Sequence, residues 1–312
     1  MKKNQDFLIY LNKISENWIV DRTRKEWYEN NKSITTQFIN KSNIIWLIAS
    51  WNWANIKEKN LNNKKVLCSI YHIDEEKFNK EKENFYLRDK YVNEYHVISN
   101  NTKKQLRKIT DKKITTLPFW VNQKIWFYIE SKDSLRAKYK LKKDEFLIGS
   151  FQRDSEGSDL EKPKLSKGPD QFVDIVSELN KDKKNINVII TGKRRNFLIN
   201  ELKKRNIKYS YFEMVNFEKL NELYNCLDLY IVSSRYEGGP QSIVECGITK
   251  TPIISTDVGI APEILARESI FDMSNFLNAV PNIEEAYSNS KNLSMEKIFP
   301  KYIDMFRGLN ES

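Results

Sequence analysis

The sequence predicts an α/β protein of two packed domains, each built around a parallel sheet, and three observations carry that expectation. At 312 residues the chain exceeds what one hydrophobic core supports, which makes two domains of roughly 100 to 200 residues the default. Hydrophobic residues at 40% and aromatics at 12% can fill two cores, and they exclude a disordered chain despite a charged fraction of 30%. In the second half, apolar runs of strand length alternate with amphipathic stretches of helix length, the pattern of parallel βαβ units.

The strands of that half are expected at 146–151, 187–191, 209–212, 227–232 and 251–255, with crossover helices at 169–179, 195–205, 217–226 and 240–249. Pro169 and Pro240 would open two of these helices at the first helical position, where a missing N–H costs nothing. The first half is less regular. Strands are expected at 33–39, 43–49, 65–70, 95–99 and 114–117, and helices at 22–30, 54–61 and 100–109. Aromatics followed by a charged amphipathic stretch at 118–143 mark the junction, and 283–306 is helical in pattern. The domains are therefore expected at 1–120 and 121–290, with 291–312 a helix packing back towards the first. No internal repeat is visible.

A net charge of +10 calls for an anionic partner or a solvated lysine-rich surface. No RRM, zinc-finger or helix-turn-helix signature supports a nucleic acid as that partner. The apolar start, 7–11, is too short for a secretory signal, and no run reaches the length of a membrane helix. Cys68, Cys226 and Cys246 lack metal-like or CxxC spacing and read as reduced core thiols of a cytoplasmic protein. The stretch 44–57, with Trp46, Trp51, Trp53 and Lys57, reads either as core strand and helix or as a surface resting peripherally on an anionic membrane.

The most informative segment runs from 227 to 249. A buried strand ends at Ser233-Ser234, a loop follows, and a helix begins near Pro240. In an open parallel sheet ligands bind beyond the carboxyl ends of strands, so the loop at 235–239 is in the right place. Gly238 and Gly239 let a ligand approach their N–H groups beside a helix mouth that favours anions. Glu237 projects from that loop and Glu245 lies about one and a half turns into the helix. Two carboxylates at one helix mouth are costly without a polyhydroxy or cationic partner. As plain surface carboxylates they would leave the Gly-Gly-Pro between them unexplained.

Glu237-Gly-Gly-Pro-Gln-Ser-Ile-Val-Glu245-Cys-Gly247, followed by Thr251-Pro-Ile-Ile-Ser-Thr-Asp257-Val-Gly259 and Glu263, resembles the Glu-x7-Glu signature of the retaining family-four glycosyltransferases, within glycosyl transferases group 1. Upstream, Phe151-Gln-Arg153 and Ser166-Lys167-Gly168 resemble the family's Gly-Arg and Lys-Gly pair. The resemblance implies a GT-B fold: two Rossmann-like domains facing each other across a cleft, the motif in the C-terminal domain and the last helix crossing back. It implies that Glu237 lies beside the transferred sugar, that Arg153 and Lys167 hold the donor diphosphate, and that Glu245 binds the ribose hydroxyls. Gly238, Gly239, Ser242 and Ile243 would complete the donor contacts. His72, after Val66-Leu-Cys-Ser-Ile-Tyr71, is similar to a histidine that the family places near the acceptor or the sugar, whereas His96 lies inside a strand pattern and reads as structural.

The activity implied is a hexosyltransferase-like, metal-independent transfer from a nucleoside-diphosphate sugar to a glycan or lipid-linked acceptor, in polysaccharide or lipopolysaccharide assembly. It would take place in the cytoplasm or at the inner face of the membrane. No cofactor and no nucleic acid are expected, and no Asp-x-Asp pair is present for a divalent metal. Two departures stand out: the glycine-rich loop often found after the family's first strand has no counterpart, and an insertion at 154–165 separates Arg153 from Lys167. A sugar-nucleotide epimerase of the same fold and a basic nucleic-acid-binding protein remain as alternatives. Base, sugar and acceptor stay open.

Overall fold

The computed structural model describes residues 7–13, 19–158, 160–182 and 185–312; the six residues before the apolar start and Asp159 of the insertion lie outside them. The chain divides into two compact units, Met1–Phe119 with Glu296–Ser312, and Trp120–Met295.

Unit 1 holds a parallel sheet of five strands in the order β1 (Ile9–Leu11), β2 (Ile44–Leu47), β3 (Lys65–Ile70), β4 (Glu94–Val97) and β5 (Lys113–Thr116). Its helices are α1 (Ile19–Asn30), α2 (Glu58–Asn62), α3 (Glu75–Asp89) and α4 (Asn100–Leu106). Every residue of β2 and β4 is buried, as in a sheet covered on both faces. The strand expected at 33–39 is absent. A 3-10 turn at Lys32–Ile34 and a single bridge from Thr35 to Ile9 stand there, and the wholly buried run Ile9–Leu11 supplies the edge strand instead. Polar Ser33, Thr35, Thr36 and Gln37 offer no face to bury, and Phe38 is exposed. The helix expected at 54–61 is split: Ala54 and Asn55 end a 3-10 segment, Ser50–Asn55, and α2 takes up the rest from Glu58. The expected set also lacked α3, whose many charges hide a helical stripe; Asp74 caps it by accepting from the Lys77 N–H at 3.3 Å.

Unit 2 begins with α5 (Lys132–Lys138) and β6 (Phe146–Ser150), then a small antiparallel hairpin of β7 (Ser155–Glu156) and β8 (Lys162–Pro163). There follow α6 (Pro169–Asp182), β9 (Ile186–Thr191), α7 (Asn196–Lys204), β10 (Lys208–Phe212), α8 (Phe217–Cys226), β11 (Leu229–Val232), α9 (Gln241–Thr249), β12 (Ile253–Thr256), α10 (Ala261–Ile264), β13 (Ile270–Phe271) and α11 (Ile283–Lys291). The six-stranded parallel sheet runs β10-β9-β6-β11-β12-β13. The order in which the chain lays down strands reverses between β6 and β11, and the crevice beyond the ends of those parallel strands is where a doubly wound sheet takes ligands. Ile148, Phe172, Val176, Val188, Leu198 and Ile231 fill the core beneath it. Pro169 opens α6 as expected, but Pro240 has ψ 116° and caps α9 from one residue outside. Gly247 meets a neighbouring helix and not the sheet: a Cβ there would stand 2.0 Å from Ser290 Oγ and 2.7 Å from the Ala286 carbonyl, both on α11.

The helix expected at 283–306 is two, α11 and α12 (Met295–Glu311), and nearly all of α12 belongs to unit 1. Its Phe299 and Phe306 rings pack on Trp27 with centroids 5.5 and 5.6 Å away, and Tyr302 lies 5.4 Å from Trp46. Against this aromatic cluster sits His96, fully buried. The Trp46 indole N–H donates to Ser69 Oγ at 2.8 Å, which leaves the Ser69 hydroxyl to donate to His96 Nδ1 at 2.8 Å. His96 Nε2 then donates to the Leu117 carbonyl at 2.7 Å. Burial lowers the imidazole pKa to about 4, so it is neutral. His96 is structural, a satisfied polar link within an aromatic core. Cys68, Cys226 and Cys246 are buried and unpaired.

Candidate functional site

Three loops of unit 2 meet beyond the strand ends: 151–168 after β6, 233–240 after β11 and 257–260 after β12. The first two are bonded together rung by rung. Ser233 Oγ donates to the Gly168 carbonyl at 2.7 Å, and the Arg235 and Tyr236 N–H groups donate to the Ser166 carbonyl at 2.9 and 3.2 Å. The Arg235 guanidinium adds a fork on Asp170, at 2.8 and 2.6 Å, and reaches the Leu165 carbonyl at 3.0 Å. Gly168 has φ +60°, and a Cβ there would stand 1.8 Å from the Ser233 carbonyl oxygen, so only glycine permits the approach. The third loop closes on the second. Thr256 Oγ1 donates to the Ser234 carbonyl at 2.6 Å, and a Cβ on Gly259 would meet the Gly238 carbonyl oxygen at 2.3 Å.

The Lys167 ammonium hydrogen-bonds Glu237 Oε1, joining residues far apart in sequence at the mouths of α6 and α9. Gln152 Nε2 donates to the Lys167 carbonyl at 3.0 Å. Arg153 is exposed, with its Nε on the Ser155 carbonyl at 2.9 Å. Lys164 is half-buried; burial, then the charges of Lys167 and Arg153, hold its ammonium below the ordinary lysine pKa. Cations thus outnumber carboxylates at the site, which suits a polyanionic group.

Beneath Arg153 the chain is anchored by a buried ion pair. Arg195, 1% exposed, bonds Asp154, 2% exposed, through Nε, and its other nitrogens donate to the Ser150 and Thr191 carbonyls and to Ser150 Oγ, each at 2.7 Å. Every charge is paired and hydrogen-bonded, the condition under which a buried pair is tolerated. The floor is aromatic: the Phe151 N–H donates to the Tyr230 hydroxyl at 3.1 Å, and the Phe151 and Tyr224 ring centroids are 4.8 Å apart.

Glu245 is 6% exposed and accepts from the Tyr224 hydroxyl at 3.0 Å. Burial, then the Glu245 charge, push that phenol well above its ordinary pKa. Ser242 is half-buried beside the Tyr230 phenol. Ile243 differs from the donor contact expected of it: its side chain is fully buried and its N–H donates to the Pro240 carbonyl at 3.0 Å, so neither group is presented to a ligand. The expected residues of the donor set therefore all lie in unit 2, whereas His72 lies in unit 1, exposed in the loop after β3. Sequence reading passed over Lys164, Arg195 and Arg235. The cue for Lys164 was its place three residues before Lys167; nothing local distinguishes Arg195 in the run Lys193-Arg194-Arg195. Among the described residues, no group of three or more His, Cys, Asp or Glu side chains is placed to hold a metal ion, and no helix is long and apolar enough to cross a membrane.

Two parallel-sheet units with this loop cluster define a glycosyltransferase of the GT-B fold. Residues 132–297 match the family model described as Glycosyl transferases group 1, more than half of the chain, and the protein belongs to that family. Among solved structures, HepE of Anabaena, in complex with UDP and glucose, is similar at TM-score 0.74 and 11% identity, over 96% of this chain and 99% of HepE. Sucrose-phosphate synthase from Thermosynechococcus elongatus is similar at TM-score 0.68 and 14% identity, over 96% of this chain and 80% of the synthase. A glycosyltransferase from Rickettsia africae gives 0.60 and 17%, over 96% and 83%. At these identities the likeness establishes the fold. No curated protein sequence matches the chain.

Proposed function

We propose that this glycosyltransferase takes its sugar from a nucleoside-diphosphate sugar and passes it, with retention of anomeric configuration and without metal or cofactor, to a glycan or lipid-linked acceptor in polysaccharide or lipopolysaccharide assembly. The observation that carries the reading is the Lys167–Glu237 pair at the mouths of two helices, with Arg153 on the adjoining loop. A lysine ammonium has three donors, so Lys167 can hold Glu237 and a phosphate oxygen together. On this reading the diphosphate lies against Arg153, Lys167 and the N–H groups of Gly238 and Gly239. As the glycosidic bond lengthens, the departing diphosphate gains negative charge, and fixed cations then stabilise it more than in the ground state.

Glu237, oriented by Lys167, faces the transferred sugar, and Glu245, held by Tyr224, takes the ribose hydroxyls. HepE is described with UDP and with UDP-glucose, which supports a uridine nucleotide here. The role of His72 rests on the family resemblance. A peripheral contact with an anionic membrane at its inner face is part of the reading; Trp51 is 39% exposed, whereas Trp46 of the same segment is core.

Thermal shift against UDP-, GDP-, ADP- and dTDP-sugars tests the donor, because a ligand at 100 times its dissociation constant stabilises by about 2.7 kcal/mol. No shift with any of them would overturn the reading. NMR of the product linkage tests retention separately, and turnover unchanged by EDTA tests independence from metal.

A further inference from the structure

The insertion between Arg153 and Lys167 has no counterpart in the motif it interrupts, and its structure shows what it does to the charges. Ser155 pairs with Pro163 and Glu156 with Lys162, so the chain doubles back on itself. The Lys164 N–H then donates to the Asp154 carbonyl at 2.7 Å, which returns the insertion to the residue after Arg153. One turn later the Lys167 N–H donates to the Lys164 carbonyl at 2.8 Å. In so tight a turn side chains three apart come to the same side. Lys164 is thereby brought near enough to Arg153 and Lys167 for both their charges to act on its ammonium.

We propose that Lys164 is a third cation of the diphosphate site and contacts a phosphate oxygen of the bound nucleoside diphosphate, a role that rests on the nucleotide-sugar reading above. Neither Lys164 nor Arg153 has a carboxylate within ion-pairing distance among the described residues, because Glu237 is taken by Lys167. Lys164 is half-buried, unlike Lys162 on the same hairpin, which is exposed. Three cations gather here, and the charges of Lys167 and Arg153 act on Lys164 more strongly than those of Glu237 and Glu156, which is unfavourable in the free protein and is relieved by a diphosphate. The hairpin is thus a device for adding charge to the donor site, and its anchor is the buried Arg195–Asp154 pair.

Isothermal titration of UDP, GDP, ADP and dTDP, and of the corresponding monophosphates, against the wild type, Lys164→Met, Lys164→Arg and Lys162→Met tests this. Whichever diphosphate the wild type binds should bind Lys164→Met about tenfold or more weakly, the loss of one charge-assisted hydrogen bond. The monophosphate should be affected less, Lys164→Arg should recover most of the affinity, and Lys162→Met should match the wild type. Equal diphosphate affinity in Lys164→Met and wild type, or an equal loss in Lys162→Met, would overturn the assignment of Lys164 and leave the donor reading standing. A wild type that binds none of the four diphosphates would overturn the donor reading, and this inference with it.

Discussion

His96 of unit 1 and Arg195 of unit 2 are large polar side chains, 0% and 1% exposed; both are essentially inaccessible, yet one is neutral and the other charged. His96 lies among Trp46, Phe119 and Tyr302, and its two ring nitrogens are satisfied by a hydroxyl and a carbonyl. Among the described residues no carboxylate is bonded to it, and burial keeps it uncharged. Arg195 cannot lose its proton and is instead surrounded by Asp154, two carbonyls and a hydroxyl. The first arrangement ties strands to the last helix. The second fixes the end of β6, from which Arg153 and the hairpin project, and so transmits order to the donor loops. A buried neutral group serves packing, while a buried ion pair here serves geometry at the surface above it.

Removing one member of each network separates these roles. Arg195→Met leaves Asp154 buried without its cation and should cost about 3–5 kcal/mol in urea unfolding, with Asp154→Leu in the same chain recovering part of it. A loss below about 1 kcal/mol would show Asp154 to be solvated. For unit 1 the lever is pH. The His96 pKa falls from 6.5 to about 4 on folding, so its contribution is intact above pH 6.5 and declines as pH drops towards 4. On the order of 3 kcal/mol should be lost across that window. His96→Phe should flatten the acid limb, and an unchanged pH profile in that variant would reassign it.

At the mouth of the site, Lys167→Ala should lower turnover about a hundredfold with little change in folding stability. Glu245→Ala should instead raise the nucleotide dissociation constant. The smallest effect is expected at the Arg235–Asp170 fork, about a third exposed on both sides. Arg235→Gln should cost about 0.2–1 kcal/mol of stability, and a cost above about 2 kcal/mol would mean that the fork holds the loops folded.

Much of unit 2 was legible beforehand. Phe217–Cys226 is a helix at the residues its spacing marks, and β6, β9 and β11 lie in their apolar runs, because a strand buried on both faces needs a continuous apolar run. That Glu237 and Gly238 lie on a loop between a strand end and a helix, and Lys167 just before α6, was readable because strand end, glycine loop and helix start are local features. Unit 1 was harder. The segment 33–39 has enough apolar residues to suggest a strand but no alternation to hold one, and α3 carries so much charge that its helical stripe is thin. Ile243 was misplaced because its neighbourhood in sequence is a ligand loop, while one helical turn directs its side chain into the core.

Sequence alone determined the strand and helix alternation of unit 2, the carboxylate spacing at Glu237 and Glu245, and the family to which the chain belongs, since each depends on neighbours within about ten residues. Only the tertiary structure decided that the hairpin returns Lys164 to Arg153, that Arg195 reaches across to Asp154 and that Gly247 admits α11. Those pairings close between residues 10 to 43 apart, where the gain from burial and charge, and not local propensity, selects the partner.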